Sequence, residues 1–161
     1  MTDMTSEVGA VALDRPWPGD IASRGGDLLD VVFGWADFTR LRRLVAARCA
    51  AAGLTGSRLD DFVLAVHEIC ANAIMHAGEG ARLILRRAAS GLRCLIADQV
   101  RRDGEDPVPA SWIPRARDGS WREPTDPETG RGLWLAAQLA DELSITSGPD
   151  GTIVSLYIRF G

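Results

Sequence analysis

LAVHEICANAIMHAG, residues 64–78, carries two periodicities at once. Phe62, Ala65, Val66, Ile69 and Ala73 return every three or four residues, the spacing that buries one face of an α-helix. Glu68, Asn72 and His76 return every four residues on a second stripe, off that core face. Taken alone, Glu68 and Asn72 also suit a solvated helix face, because glutamate favours helices and both side chains usually stay hydrated. Two later features weigh against that. CLIADQV, residues 94–100, reads as a strand that delivers Asp98 at its end, where residues that recognise a ligand at a sheet edge are found. TGRGLWLAAQLAD, residues 129–141, opens a helix behind Gly130 and Gly132, with free backbone N–H groups that suit phosphate. Together they suggest a nucleotide pocket.

Working outward, residues 1–25 carry Pro16, Pro18 and paired glycines without a period, and read as a flexible N-terminal tail. The folded domain is expected over 26–161. DLLDVVFGW (27–35) is a candidate strand, followed by a helix on Phe38, Leu41, Leu44, Val45 and Cys49 that should stop near Gly53. Ser57 or Asp60 can cap the next helix. ARLILRRAA (81–89) and GLRCLIADQ (91–99) form a hairpin turning at Ser90–Gly91. From about 100 to 129 the pattern collapses into a segment with five prolines and the tryptophans Trp112 and Trp121, which reads as a lid. Its tryptophans suit either a partner contact or a static anchor. Gly132–Glu142 is a helix, and LSITSG (143–148) with GTIVSLYIRF (151–160) a final hairpin. The order β, α, α, β, β, lid, α, β, β fits an α+β fold with helices on one face of a mixed sheet. A Rossmann fold is excluded, because Gly130 and Gly132 follow a proline-rich loop and Leu135 stands where a third small residue is needed.

A chain of 161 residues with net charge −4 and 46% hydrophobic residues has the balance of one globular domain. Arg42–Arg43, Arg86–Arg87 and Arg101–Arg102 are short pairs that read as solvated surface, so no direct nucleic-acid role is expected. No apolar run approaches the roughly 18 residues of a membrane span, and the N-terminal stretch is acidic, which points to a cytoplasmic protein. Cys49, Cys70 and Cys94 are an odd number, far apart in apolar patterns, and read as reduced packing residues rather than zinc ligands. The chain has no lysine. That excludes a P-loop and the eukaryotic kinase fold, both of which need one for phosphate.

Glu68, Asn72, Asp98 and GRGL (130–133), in this order, resemble the GHKL superfamily of Bergerat-fold ATPases, which includes gyrase, heat-shock chaperones, histidine kinases and mismatch-repair proteins. The nearest likeness is to the small bacterial anti-sigma-factor serine/threonine kinases, whose pattern LAVxExxxNAxxHA is matched by LAVHEICANAIMHA. The resemblance spans about Asp27 to Phe160 and implies a two-layer α/β sandwich of the Bergerat type. It also implies ATP and Mg²⁺ as cofactors. Glu68 then resembles the catalytic base that orients a hydroxyl or water, Asn72 the magnesium ligand, and Asp98 the acceptor for the adenine amino group. Gly130, Arg131, Gly132 and Leu133 resemble the glycine box at the phosphates. His76 is open between pocket lining and a contact with the helix-end dipole. The implied partners are a sigma factor, an anti-anti-sigma (STAS) protein, or both, with a possible homodimer. One departure supports an alternative: ADQVRRDG (97–104) puts Val100 and Arg101 where the family has glycines soon after the aspartate. A partner-binding module with the fold, but with weak or no catalysis, is the second expectation.

Overall fold

The structure, a computed structural model, describes residues 25–77, 80–98, 131–148 and 151–161. The expected tail, apart from Gly25, and the expected lid with Trp112 and Trp121 lie outside the described residues. LDVVF forms β1 (Leu29–Phe33), with Leu29, Val31 and Phe33 buried. It is shorter than DLLDVVFGW because the Gly34 N–H donates to Asp37 Oδ2 at 2.9 Å and Trp35–Asp37 wind into a 3-10 turn. Helix α1 (Phe38–Ala52) buries Leu41, Val45 and Cys49. It stops at Gly53 as expected, for a local reason: φ there is 113°, left-handed, and the N–H groups of Gly53 and Leu54 donate to Ala50 O and Cys49 O, both at 3.1 Å.

Helix α2 (Gly56–Ala77) lays Phe62, Ala65, Val66, Ile69 and Ala73 into the core. Of these, Phe62, Val66 and Ile69 each contribute about 1.5–3 kcal/mol by leaving water. Strands β2 (Ala81–Ala88) and β3 (Gly91–Asp98) pair from Ala88↔Gly91 to Ala81↔Asp98, turning through Ala89 at φ 35°. Helix α3 (Arg131–Leu139) is followed by β4 (Glu142–Gly148) and β5 (Gly151–Arg159). The expectation that α3 runs to Glu142 is corrected here. Ala140 N–H closes the last turn on Ala136 O, then Asp141 N–H donates to Tyr157 O, each at 2.9 Å, and Glu142 pairs with Tyr157 in the sheet.

The sheet order is β1-β2-β3-β5-β4. Leu83, Leu85, Cys94, Ile96, Leu156 and Ile158 face the helices in one continuous core, and a small cluster of Ile84, Ala97 and Ile153 lies apart from it. This is the expected α+β arrangement. The sheet is antiparallel at each pairing among the described residues, however, where a mixed sheet was expected. Strands β3 and β4 do run parallel, joined through α3, but β5 inserts between them, so no parallel pair is hydrogen-bonded. No helix among the described residues is long and apolar enough to cross a membrane.

Candidate functional site

Glu68 and Asn72 stand half-buried on the second half of α2, off its core face. What faces them is the first turn of α3. A Cβ at Gly132 would stand 3.2 Å from Asn72 Nδ2, 3.2 Å from Glu68 Oε2 and 3.4 Å from Asn72 Oδ1. Only a residue without a side chain leaves that space open beside both polar groups. The start of α3, whose first backbone N–H groups have no partner within the helix, therefore packs close to a carboxylate and an amide. Arg131, the first residue of α3, is exposed, whereas the Leu133 side chain is 7% exposed and belongs to the core. Leu133 thus offers the site its backbone alone.

Asp98 ends β3 opposite Ala81, at the sheet end where the chain leaves α2 at Ala77 and returns as β2. Its Oδ1 accepts a hydrogen bond from the Thr152 N–H at 2.9 Å. Burial pushes the carboxyl up to about 6, against the opposing pull of that hydrogen bond. Thr152, 4% exposed, is the residue sequence reasoning missed. Its only trace in the sequence is a polar residue beside Gly151 at the start of β5, and the Ala97↔Ile153 register is what sets it next to Asp98.

Of the remaining expected residues, His76 is described only as backbone on α2, and Gly130 lies outside the described residues. His67, one position before Glu68, is a packing residue. Its ring meets Phe38 edge-on at 4.7 Å between centroids, and burial and then the Arg42 charge hold its pKa below the usual value. The cysteines are buried free thiols. Burial pushes Cys49 up to about 12 and raises Cys70 and Cys94, and the neighbouring Cys70 and Cys49 raise Cys94 further.

Among the described residues no group of three or more His, Cys, Asp or Glu could cage a metal ion. Mg²⁺ that keeps several waters and takes oxygens from phosphates needs no such cage, and one amide oxygen from Asn72 fits that donor set. Gly132 lets the start of α3 approach Asn72 closely.

The profile of the histidine kinase-like ATPase domain matches residues 35–158. The chain belongs to this family. The GHKL resemblance of LAVHEICANAIMHA and GRGL is a family relationship, and Glu68, Asn72, Asp98 and Gly132 all fall within the matched region. Among solved structures, the histidine kinase-like ATPase fold seen here is similar to a chain in the crystal structure of the SiaB-SiaC complex from Pseudomonas aeruginosa. The TM-score is 0.53 at 16% identity, over 83% of this chain and 90% of that one. At that identity the likeness is one of fold. No curated protein sequence matches the chain.

Proposed function

We propose that this histidine kinase-like ATPase is a cytoplasmic regulator of the anti-sigma kinase type, which binds Mg-ATP and phosphorylates a serine or threonine of an STAS-type anti-anti-sigma protein, sequesters a sigma factor, or does both. The observation that carries this is the approach of Gly132 to within 3.2 Å, at its would-be Cβ, of both Glu68 and Asn72. It unites the acid, the amide and the anion-binding helix end that the sequence kept far apart.

Each group then has a task its chemistry suits. Asp98 accepts from the adenine amine, with Thr152 N–H fixing the other carboxylate oxygen. The N–H groups at the start of α3 and the Arg131 guanidinium balance phosphate charge. Asn72 would hold Mg²⁺, which when bound neutralises charge on the phosphates. Glu68 orients the acceptor hydroxyl and takes its proton. The likeness to a chain of the SiaB-SiaC complex supports a protein partner. A sigma factor and a second copy of this chain belong to the same proposal.

The test is transfer of the γ-phosphoryl group to a purified STAS-type protein, followed by mass spectrometry. Glu68→Ala is expected to lower transfer by about 100-fold or more while ATP binding persists, and Asn72→Ala to lose the Mg²⁺-dependent part of binding. Undiminished transfer by Glu68→Ala excludes the general-base role. The departure at Val100 favours one competing reading, a partner-binding module without turnover. Partner binding with no nucleotide binding by the intact protein selects that alternative.

A further inference from the structure

Trp35 and Met75 are the exposed large hydrophobic residues among those described, at 59% and 61% of full exposure. Neither is a stray surface residue. The Trp35 ring lies 5.1 Å from Phe38, and Phe38 lies 4.7 Å from His67, so an aromatic row leads from the end of β1 onto α2. Phe38 and His67 also line a shallow cleft of about 10 Å³ between α1 and α2, over the buried Leu41, Val45, Val63 and Val66. At about 100° per residue, Met75 falls angularly between the His67/Ala71 stripe and the Glu68/Asn72 stripe of α2. Met75 therefore lies about two turns beyond His67 and about 80° around α2, next to the Glu68/Asn72 stripe.

Helix α1 brings positive charge beside this row, while Asp37 and Glu68 also border it. Helix α1, FTRLRRLVAARCAAA, has exposed arginines at 40, 42, 43 and 48 and no carboxylate, in a chain whose net charge is −4. Arg42, Arg43 and Arg48 form no ion pair among the described residues. Arg42 acts on His67 and lines the cleft, which places positive charge at the edge of the apolar row. Exposed tryptophan, methionine and arginine together have the composition of a binding hot spot.

We propose that the α1/α2 face is a docking surface for an acidic, amphipathic helical segment of a protein partner. The segment's apolar stripe covers Trp35, Phe38 and Met75, and its carboxylates meet Arg42 and Arg43. Arginines alone would also suit a phosphodiester backbone, but a nucleic acid leaves the apolar cleft and Met75 without a counterpart, and the protein segment satisfies both. This docking requires neither phosphoryl transfer nor bound nucleotide.

The intact chain, without nucleotide, serves as bait for a displayed library of random peptides about 16 residues long, enough for a short helix. Enriched peptides are expected to be net acidic with apolar residues at helical spacing. Synthetic copies should bind at least about tenfold more weakly to a Trp35→Ser, Met75→Ser double variant and to an Arg42→Glu, Arg43→Glu double variant. Raising salt should weaken them as well. All four changes are at exposed positions, and unchanged thermal unfolding and unchanged Mg-ATP titration check that fold and nucleotide site are intact. No enrichment, enrichment of neutral or basic peptides, or indifference to both double variants overturns the proposal. So does a single-stranded oligonucleotide that binds through Arg42 and Arg43 more tightly than any selected peptide. Loss of phosphoryl transfer with docking retained counts against the kinase reading and leaves this surface standing.

Discussion

Asp98, proposed to accept from the adenine amine, also sets an acid-base property of the free protein. Its folded pKa, about 6, lies above the ordinary value of 3.8, so the folded chain holds the proton more tightly than the unfolded chain does. Its contribution is therefore most favourable below about pH 4 and is lost as pH rises through about 6, by on the order of 2–3 kcal/mol. Urea unfolding of wild type and Asp98→Asn from pH 4 to 8 should show the variant gaining relative stability across that window; a constant difference removes the buried carboxyl from the account. Nucleotide binding has the opposite demand, because the adenine amine needs an ionised acceptor. Affinity for ATP should thus fall as pH drops below 6, and Asp98→Asn should bind adenine nucleotides at least about tenfold more weakly at pH 8. Gly132 gives an equally local test. Gly132→Ala brings a methyl group to 3.2 Å from Asn72 and Glu68 side-chain atoms, which can shift without backbone movement. Alanine in a helix is favoured over glycine by about 1 kcal/mol. Thermal stability should therefore hold or rise while ATP binding weakens, and unimpaired binding would show that the space beside Asn72 is not used by the ligand.

At the level of elements, Gly91 makes the sharpest prediction. A Cβ there would lie 1.9 Å from the Ile158 carbonyl oxygen, so β3 and β5 would have to separate. Gly91→Ala is expected to cost about 2–4 kcal/mol in urea unfolding, whereas Gly34→Ala, with nothing within 4 Å of its Cβ, should cost much less. Equal costs would contradict the close β3/β5 approach. What the sequence revealed of these elements divides along the same line between local and long-range causes. The stop of α1 at Gly53, the core face of α2 and the β2/β3 hairpin were legible, because a left-handed glycine, a helical period and a tight turn are written in neighbouring residues. The end of α3 was not, since Asp141 is captured by Tyr157 and its carboxylate accepts the Arg159 N–H at 2.7 Å, partners on a strand formed later in the chain. Insertion of β5 between β3 and β4, the place of Thr152 beside Asp98, and the gathering of Cys49, Cys70 and Cys94 are likewise tertiary events. Their thiols should resist a thiol reagent in the native protein and react on unfolding, as buried groups with raised pKa values do.

Across the whole molecule, one layer of helices carries both proposed surfaces. The α2/α3 junction puts Glu68, Asn72 and Gly132 together, and the α1/α2 face sets arginines beside an exposed aromatic row. The helical spacing of Glu68 and Asn72 was legible because both lie on α2, but only the fold shows that Gly132 comes to them. The most direct measurement is calorimetric titration of Mg-ATP into the intact protein, with thermal unfolding followed in parallel. Saturable binding with Kd between about a micromolar and a millimolar, weakened when Mg²⁺ is chelated and accompanied by a rise in unfolding temperature, is the expected result. No heat and no thermal shift at about a millimolar Mg-ATP would contradict the account, because the meeting of Glu68, Asn72 and Gly132 would then serve packing alone.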